Sequence, residues 1–323
     1  VNVELRIKEA CAWAEAGYNI ADEQFALTAR PAWTAHTSKG GSLNISGNSV
    51  SGTDAEGNAY KMAFDDNGKM TAWTYAGKQI LHTNANGTIA SGAAPDFNSC
   101  RNIDNDKEST GTAKIECVNS SSTKIIKTLT QDDALGCATM TVQGNAKNCQ
   151  YTIHYTFYPD ATVDMMTTFS PSGATRRLGL GLQLASVFEN VEFYARGPRS
   201  NYSDRKTGSY LGRFTTTIDD MVEEQIHPQT YGDHEDLREL LLSNKEEGLT
   251  LTVRVDGQAS FSLSHYDESK WIEEGSNLWK IPTHWYDLVR KPQVFAHIDY
   301  WQRGLGNNSC QGDAVLPKYE CPT

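Results

Sequence analysis

The chain has 323 residues, of which 38% are hydrophobic, and this is enough for one large hydrophobic core or two smaller ones. Lys and Arg number 29 against 40 Asp and Glu, a net charge of −11, which disfavours nucleic acid and anionic membrane surfaces as partners. No apolar run approaches the roughly 20 residues that a membrane-spanning helix needs. We therefore expect a globular chain that binds neither nucleic acid nor membranes.

The first residues follow the alternation of a β-strand. Val1, Val3 and Leu5 are apolar, and polar residues separate them. A period of two residues is typical of a strand with one buried face. A chain that begins inside a strand is more typical of an excised fragment, so we expect a piece of a longer protein. Residues 31–41, rich in Thr, Ala, Ser and Gly, are the candidate domain boundary.

The same alternation continues along nearly the whole chain. Tyr60, Met62 and Phe64 alternate with Lys or Ala, and an Asp-Asn-Gly turn at 66–68 predicts a hairpin with residues 70–75. Residues 235–242 have a helical composition, although tertiary context often overrides propensity in so short a run. Many strands joined by polar turns predict an antiparallel, sandwich-like all-β domain. The other alternating runs lie at residues 137–142, 151–157, 178–184, 249–255 and 259–264.

The cysteines form no Cys-x-x-Cys pair, which disfavours a zinc knuckle or a thioredoxin-like redox site. Cys137 and Cys149 flank a predicted turn at Gly144-Asn145, which would make them cross-strand neighbours and allow a disulfide in an oxidising compartment. Reduced thiols are the alternative that we favour. The odd number of cysteines leaves at least one thiol free. The seven lie at positions 11, 100, 117, 137, 149, 310 and 321.

The motifs of several enzyme classes are missing from the sequence. Residues 304–309 lack the third glycine and the following helix of a phosphate-binding loop, and neither Gly-x-Ser-x-Gly nor His-Glu-x-x-His occurs. The eight histidines are too scattered to place two on one metal ion, so we predict no metal site. Adjacent acidic pairs such as Asp219-Asp220 diverge, so they cannot supply the two carboxylates, about 5 Å apart, of a retaining glycosidase.

Three segments, at residues 101–106, 191–214 and 294–304, combine aromatic residues with Arg, Asn and Asp. Carbohydrate sites use this combination, because an aromatic ring stacks on the apolar face of a sugar while planar amides and carboxylates bond its hydroxyls. Buried Arg, Asp and Asn also hold long loops together in large sandwiches. Residue types alone favour that structural role.

The second of these segments carries a family resemblance. Residues 191–208 contain Gly197-Pro198-Arg199-Ser200-Asn201-Tyr202-Ser203-Asp204-Arg205. This run resembles the Gly-Pro-x-Glu-Asn-Tyr-x-Asp-Arg segment in the C-terminal, small-chain domain of large family 2 β-galactosidases. Residues 97–106, 60–81 and 298–310 resemble that domain's aromatic-Arg segment, first hairpin and Gly-rich closing motif. Residues 1–35 look like the last strands of the preceding immunoglobulin-like domain.

The resemblance implies a fold and a domain organisation. Residues 39–323 are expected to form the large antiparallel supersandwich shared with galactose mutarotases, without its last strand. Residues 1–38 are expected to be the remnant of an immunoglobulin-like sandwich. The resemblance also changes the interpretation of residues 237–242 from helix to strand. An absent closing strand would leave an open sheet edge, which favours a homo-oligomer.

The implied activity is hydrolysis of terminal β-D-galactosides by a larger protein. In that family the catalytic glutamates sit in an upstream (β/α)8 barrel, so this chain is expected to contain no catalytic residue and to be inactive alone. The small-chain domain lends the sugar pocket an aromatic wall and a loop, which fall on Phe295 and on residues 107–111. We therefore predict substrate contacts at Phe295, Trp301, Asn105 and Asp106. Phe295 replaces the family's Trp.

The polar loop itself is expected to be structural. Ser200 replaces the motif's Glu, and we predict that the other motif residues lock the loop rather than contact sugar. These are Arg196, Asn201, Tyr202, Asp204 and Arg205.

The expected partners are a galactoside and the catalytic barrel of the same protein. No cofactor is expected in this chain, and any Mg²⁺ or Na⁺ of the full-length enzyme would bind outside it. The expected compartment is the bacterial periplasm or cytoplasm. The alternatives are a carbohydrate-binding module working alone and an aldose 1-epimerase acting through a His and a Glu.

Overall fold

The computed structural model describes residues 1–101, 103, 122–132, 136–146, 148–173, 175–226, 228–268, 284–306 and 315–322, with backbone only at 122–132. These residues form 19 β-strands and three short 3₁₀ helices, so the all-β prediction is confirmed. The 3₁₀ helices are Asp219–Met221, Trp285–Asp287 and Pro317–Tyr319. Within these ranges no helix has the length and apolar character needed to cross a membrane. Two compact units, Val1–His36 and Thr37–Thr323, divide the chain.

The first unit contains one antiparallel hairpin. Strand β1 (Asn2–Arg6) pairs with β2 (Asn19–Gln24), and the predicted opening strand is therefore present. Its apolar positions are exposed, with 54% of Val3 and 61% of Leu5 accessible. A two-stranded hairpin is marginally stable on its own. The assignment of this unit to an immunoglobulin-like domain remains a prediction.

The second unit begins with a five-stranded meander. Tyr60, Met62 and Phe64 alternate into the core, and the predicted hairpin is confirmed. Asp65 accepts hydrogen bonds from the backbone N–H groups of Asn67 and Lys69, both at 2.9 Å, which closes the turn. The five strands, in spatial order, are β3 (Ser42–Ser46), β4 (Ser49–Thr53), β5 (Ala59–Phe64), β6 (Met70–Tyr75) and β7 (Lys78–Gln79).

The next sheet corrects the cysteine prediction. Its order is β12 (Val163–Pro171), β11 (Cys149–Phe157), β10 (Cys137–Ala146) and β9 (Ser122–Asp132). Ala146 pairs with Cys149 while Cys137 lies at the far end of the hairpin, so the two thiols are not cross-strand neighbours. Both are free and buried, so the expectation of reduced thiols is confirmed for this pair. Cys100, in contrast, is in a disulfide bond.

The predicted turn at Gly144-Asn145 is also wrong. Gly144 pairs with Tyr151 inside the ladder, and the turn follows Ala146. A β-carbon on Gly144 would clash with the ring of Tyr151. This glycine therefore makes room for a buried aromatic side chain across the strand and does not turn the backbone.

The remaining strands form two four-stranded sheets. One, called here the β19 sheet, has the order β18 (Ser260–Ser264), β19 (Val294–Gln302), β13 (Arg177–Leu184) and β8 (Asp96–Phe97). The other has the order β15 (Tyr210–Thr217), β14 (Asn190–Gly197), β16 (Glu239–Asn244) and β17 (Leu249–Arg254).

Residues 235–242 show how packing overrides composition. Leu240 and Leu242 are buried on alternate positions of β16, and strand pairing with β14 and β17 satisfies the backbone. The strand implied for 237–242 is therefore present over Glu239–Asn244. One hydrophobic core receives side chains from all four sheets of the second unit, among them Phe64, Tyr151, Phe193, Leu240, Phe261 and Ala296.

Candidate functional site

One face of the β19 sheet is polar. Residues directly opposite each other in antiparallel strands share a face. The opposite face sends Phe261, Leu263 and Ala296 into the core. Three rows cross the polar face, namely Ser264, Phe295 and Gln183; Ser262, His297, Gly181 and Asp96; and Ser260, Asp299 and Gly179.

Arg177 is the centre of a buried ionic network beside this face. Its side chain is fully buried, and its Nε donates to Oδ2 of Asp299 at 2.8 Å. Nη1 donates to Oε1 of Glu268 and to the carbonyl oxygen of Cys100, each at 3.0 Å. Nη2 donates to Oγ of Ser262 at 2.8 Å. The guanidinium thus ties β13 to β18, β19 and two loops.

Glu268 remains ionised in this network. Burial favours its neutral form, but the hydrogen bond from His297 and the charge of Arg177 lower the pKa of Glu268 to about 2. Nε2 of His297 lies 3.2 Å from Oε1 of Glu268, and the hydroxyl of Thr230 donates to Oε2. Nδ1 of His297 has no partner within the described part of the chain. The carboxylate is therefore held on both oxygens.

A second group of buried carboxylates lies near Arg177. Burial, together with the neighbouring Glu235 and Asp299, raises the pKa of Asp233 well above its usual range. Burial also raises the pKa of Asp299, against the opposing charge of Arg177. Nζ of Lys206 forms an ion pair with Oε2 of Glu235 at 2.9 Å. The raised pKa values of Asp233 and Asp299 mean that burial disfavours their charged forms.

Glycines make the close packing on this face possible. A β-carbon on Gly179 would clash with the carboxylate of Asp299, and one on Gly181 would lie 2.6 Å from Nδ2 of Asn98. The two glycines of β13 thus leave space for polar side chains that lie flat on the sheet.

Phe295 lies on the same face, half-buried, between Gln183 and Ser264. Ala296 belongs to the core and Ile298 packs against it, whereas Phe295 is not a member of that cluster. Phe295 therefore lies on the face of β19 that is turned away from the hydrophobic core. Contact with sugar remains a prediction.

Trp301 lies far from Phe295 along the strand. A β-bulge leaves Tyr300 unpaired, so that Asp299 opposes Gly179 and Trp301 opposes Leu178. Strict alternation along the strand would place Phe295 and Trp301 on one face, and the extra residue interrupts it. Six residues of strand also separate them by about 20 Å, so one sugar ring cannot touch both.

The other predicted substrate residues, Asn105, Asp106 and the loop at 107–111, lie outside the described residues. Arg101, just before them, is buried and donates to the carbonyl oxygens of Arg303 and Gly304. It joins the start of that segment to the end of β19.

The first part of the predicted loop lock has backbone partners on both sides. Nδ2 of Asn201 donates to the carbonyl oxygens of Arg196 and Arg199 at 3.1 Å, and its Oδ1 accepts from the N–H of Glu235 at 3.0 Å. Arg196 pairs with Asp236 and donates to the carbonyl oxygen of Ser209 at 2.8 Å. The hydroxyl of the buried Tyr202 donates to the carbonyl oxygen of Thr230 at 3.4 Å.

The second part of the loop lock forms hydrogen bonds with the chain segment that follows β19. Asp204 accepts from the N–H groups of Leu305 at 2.9 Å and Gly306 at 2.7 Å. A β-carbon on Gly304 would come 2.6 Å from Cγ of Asp204, so this approach requires glycine. Arg205 donates to the carbonyl oxygen of Gly306. All five predicted residues thus bond within the domain.

One further group of side chains has the composition of metal ligands. Atoms of Glu189, Asp219 and His265 lie within 4.8 Å of one another. Arg290 already occupies their neighbourhood, donating to Asp219 at 2.8 Å and to Glu189 at 3.3 Å. His265 uses both ring nitrogens, on Glu189 and on the carbonyl oxygen of Gln293. The sequence did not predict this cluster, because its members come from distant segments.

The fold and these contacts define an all-β, sandwich-like domain whose polar loops are fastened by buried arginines. The family model described as "Beta galactosidase small chain" matches residues 56–323. Because this match covers most of the chain, the chain belongs to the β-galactosidase small-chain family.

Curated relatives agree with this assignment. A β-galactosidase of Staphylococcus xylosus is 34% identical over 175 residues, 54% of this chain and 15% of the relative. One from Priestia megaterium is 25% identical over 99% of this chain and 30% of its own length. One from Lactococcus lactis is 32% identical over 44% of this chain and 13% of the relative. The chain therefore spans less than a third of each of these relatives.

Proposed function

We propose that this chain is the C-terminal part of a family 2 β-galactosidase that hydrolyses terminal β-D-galactosides, with the catalytic carboxylates in an upstream barrel. The observation that carries the proposal is the small-chain family match over residues 56–323. The partial coverage of the β-galactosidase relatives supports it. The finer architecture proposed is the galactose mutarotase-like supersandwich, preceded by immunoglobulin-like strands at 1–38.

The contribution of this chain to the sugar pocket is proposed to be an aromatic wall at Phe295. Its half-burial outside the hydrophobic core supports this role, because an aromatic ring on a polar face has free area for a sugar's apolar side. Trp301 remains a proposed contact for a different part of the substrate. Asn105, Asp106 and residues 107–111 are proposed to add the loop.

The chain alone is proposed to be inactive. A retaining glycosidase needs two carboxyl groups, about 5 Å apart, with the scissile bond between them. The carboxylates of Glu268 and Asp299 are instead both bonded to Arg177. The guanidinium of Arg177 therefore lies between the two carboxyl groups, where the scissile bond would have to lie.

The same purified chain can be tested with a chromogenic β-galactoside and with α-galactose, following colour and optical rotation. We expect no aglycone release and no accelerated mutarotation. Colour that co-purifies with the chain from a host lacking its own β-galactosidase would contradict the proposal.

Aldose 1-epimerisation is the second candidate, because the structure contains a His and Glu pair at His297 and Glu268. Catalysis by such a pair requires the sugar to lie between acid and base. Here the two side chains touch at 3.2 Å, and Arg177 also binds the carboxylate. This contact disfavours the epimerase, and the optical rotation measurement decides between the two.

The remaining partners follow from the same proposal. The catalytic barrel of the same protein is the proposed contact of this domain, and any Mg²⁺ or Na⁺ is proposed to bind outside the chain. Association into a homo-oligomer is proposed through an unpaired strand edge. A carbohydrate-binding module working alone would instead bind galactosides without any upstream partner.

A further inference from the structure

A cleft in the second unit lies between the β5–β6 turn and residues 88–98. Its volume is about 500 Å³, and residues 65, 68–71, 88–92 and 94–98 form its walls. Buried side chains of Val142, Ile153 and Tyr155 close its floor. Ligand pockets commonly measure roughly 300–1,000 Å³ and combine apolar walls with a few fixed polar groups. We propose that this cleft binds a neutral pyranose unit, at a site separate from Phe295.

The polar groups of the cleft are held in place by the protein. Oδ1 of Asp96 accepts from the hydroxyl of Tyr151 and from the N–H of Phe97, the latter at 2.9 Å. Oδ1 of Asn98 accepts from the N–H of Cys100 at 2.7 Å, which fixes the orientation of the amide. A fixed carboxylate beside a fixed amide matches the alternating donors and acceptors of sugar hydroxyls.

Asn98 reaches this position because Gly181 lies beneath it. A β-carbon at residue 181 would come 2.6 Å from Nδ2 of Asn98. That Nδ2 has no hydrogen-bond partner among the residues described, so both of its N–H groups are available to a ligand. Glycine in the middle of β13 therefore serves to present an amide to the cleft.

The charges of the cleft favour a neutral ligand. Among the lining residues that the structure describes, the two carboxylates of Asp65 and Asp96 accompany the ammonium of Lys69. Asp65 already accepts two backbone hydrogen bonds in the turn. The described lining has no surplus of cations to attract an anionic ligand, whereas sugar hydroxyls can donate to Asp96 and accept from Lys69 and Asn98. The half-buried Ile89 offers apolar area for the ring.

The cleft and Phe295 are neighbours but not one site. Gln183 pairs with Phe295 across the strands, and its Nε2 donates to the carbonyl oxygen of Ser91 in the cleft wall at 3.4 Å. The cleft surface does not include Phe295. A substitution that removes binding in the cleft can therefore be distinguished from one that removes binding at Phe295. The inference also stands if the β-galactosidase activity of the longer protein is not found.

The test uses the 323-residue chain and methyl β-D-galactopyranoside, followed by saturation-transfer NMR and calorimetry. A ligand of this size is expected to bind with a Kd on the order of 1 mM. Thr71→Trp places a large ring at an exposed strand position of the cleft wall. Its matched control is Thr252→Trp, at an exposed strand position outside the cleft. Lys69→Ala is a second variant that leaves the strand unchanged.

We expect Thr71→Trp to weaken binding at least tenfold and Lys69→Ala to weaken it severalfold. Thr252→Trp should leave the Kd of the cleft within about twofold, with unchanged melting temperatures confirming the fold. Binding of indole with no binding of methyl galactoside, glucoside or mannoside would overturn the proposal. So would saturable sugar binding that Phe295→Ala abolishes and Thr71→Trp does not affect.

Discussion

The two ends of β19 carry the same kind of polar face and use it differently. At one end Phe295 is half-buried between the neutral side chains of Gln183 and Ser264. At the other end Asp299 is fully buried and paired with Arg177. A polar face can therefore be open at one end of a strand and closed by ions at the other.

The difference follows from what a buried ion requires. A carboxylate removed from water must be paired and hydrogen-bonded, and Arg177 supplies that at the Asp299 end. Phe295 carries no charge, so it has no such requirement and stays half-buried. The ionic end should govern stability and the aromatic end should govern binding, and the following experiments test that division.

The largest effect is expected from Arg177→Met. Removing one partner of a buried ion pair typically costs about 3–5 kcal/mol, because the remaining charges stay buried without compensation. Here both Asp299 and Glu268 would lose the guanidinium. Urea unfolding measures the loss. Arg213→Met is the control, because Arg213 is 54% exposed and its ion pairs should contribute less than about 1 kcal/mol. Equal destabilisation of the two variants would contradict a special role for Arg177.

Glu268 should make stability depend on pH. Its pKa is about 2 in the folded state against 4.5 unfolded, so the unfolded chain binds more protons between these values. The stabilisation is fully present above pH 4.5 and is lost as pH falls towards 2. A shift of this size corresponds to on the order of 3 kcal/mol. Glu268→Gln should remove this pH-dependent component. The unfolding free energies of the wild-type chain and the variant should therefore converge at low pH. Curves that stay parallel from pH 6 to pH 2.5 would disprove it.

A smaller effect is expected from Gly179→Ala. The added methyl group would clash with the carboxylate of Asp299, and such overpacking typically costs about 1–3 kcal/mol. Gly173→Ala is the matched control, since an added β-carbon there meets no atom within 4 Å. Thermal melting of both variants gives the comparison. If Gly179→Ala and Gly173→Ala have the same melting temperature, the close contact of Asp299 with β13 is not important for stability.

Much of the fold could be predicted because alternation is a local signal. The hairpin at 60–75 and the strands at 151–157 and 178–184 follow directly from side chains with a period of two. Gly144 misled the prediction, because a glycine that accommodates Tyr151 looks in sequence like a glycine that turns the chain.

The ionic site could not be predicted in the same way. Arg177 is 91 residues from Glu268 and 122 from Asp299, so no local pattern joins them. The bulge at Tyr300 is equally invisible, and it separates Trp301 from the alternation of Phe295. The resemblance located the loop residues from Arg196 to Arg205, whose partners then came from the structure.

The most direct test of the central claim is the steady-state kinetics of Phe295→Ala and Phe295→Trp in the full-length enzyme, with melting temperatures measured on the same samples. An aromatic contact contributes on the order of 1 kcal/mol. If it serves ground state and transition state equally, Phe295→Ala should raise KM about tenfold or less, with kcat nearly unchanged. Phe295→Trp should preserve activity or lower KM. An unchanged KM in Phe295→Ala together with a melting temperature several degrees lower would show that Phe295 supports the fold and does not contact the sugar.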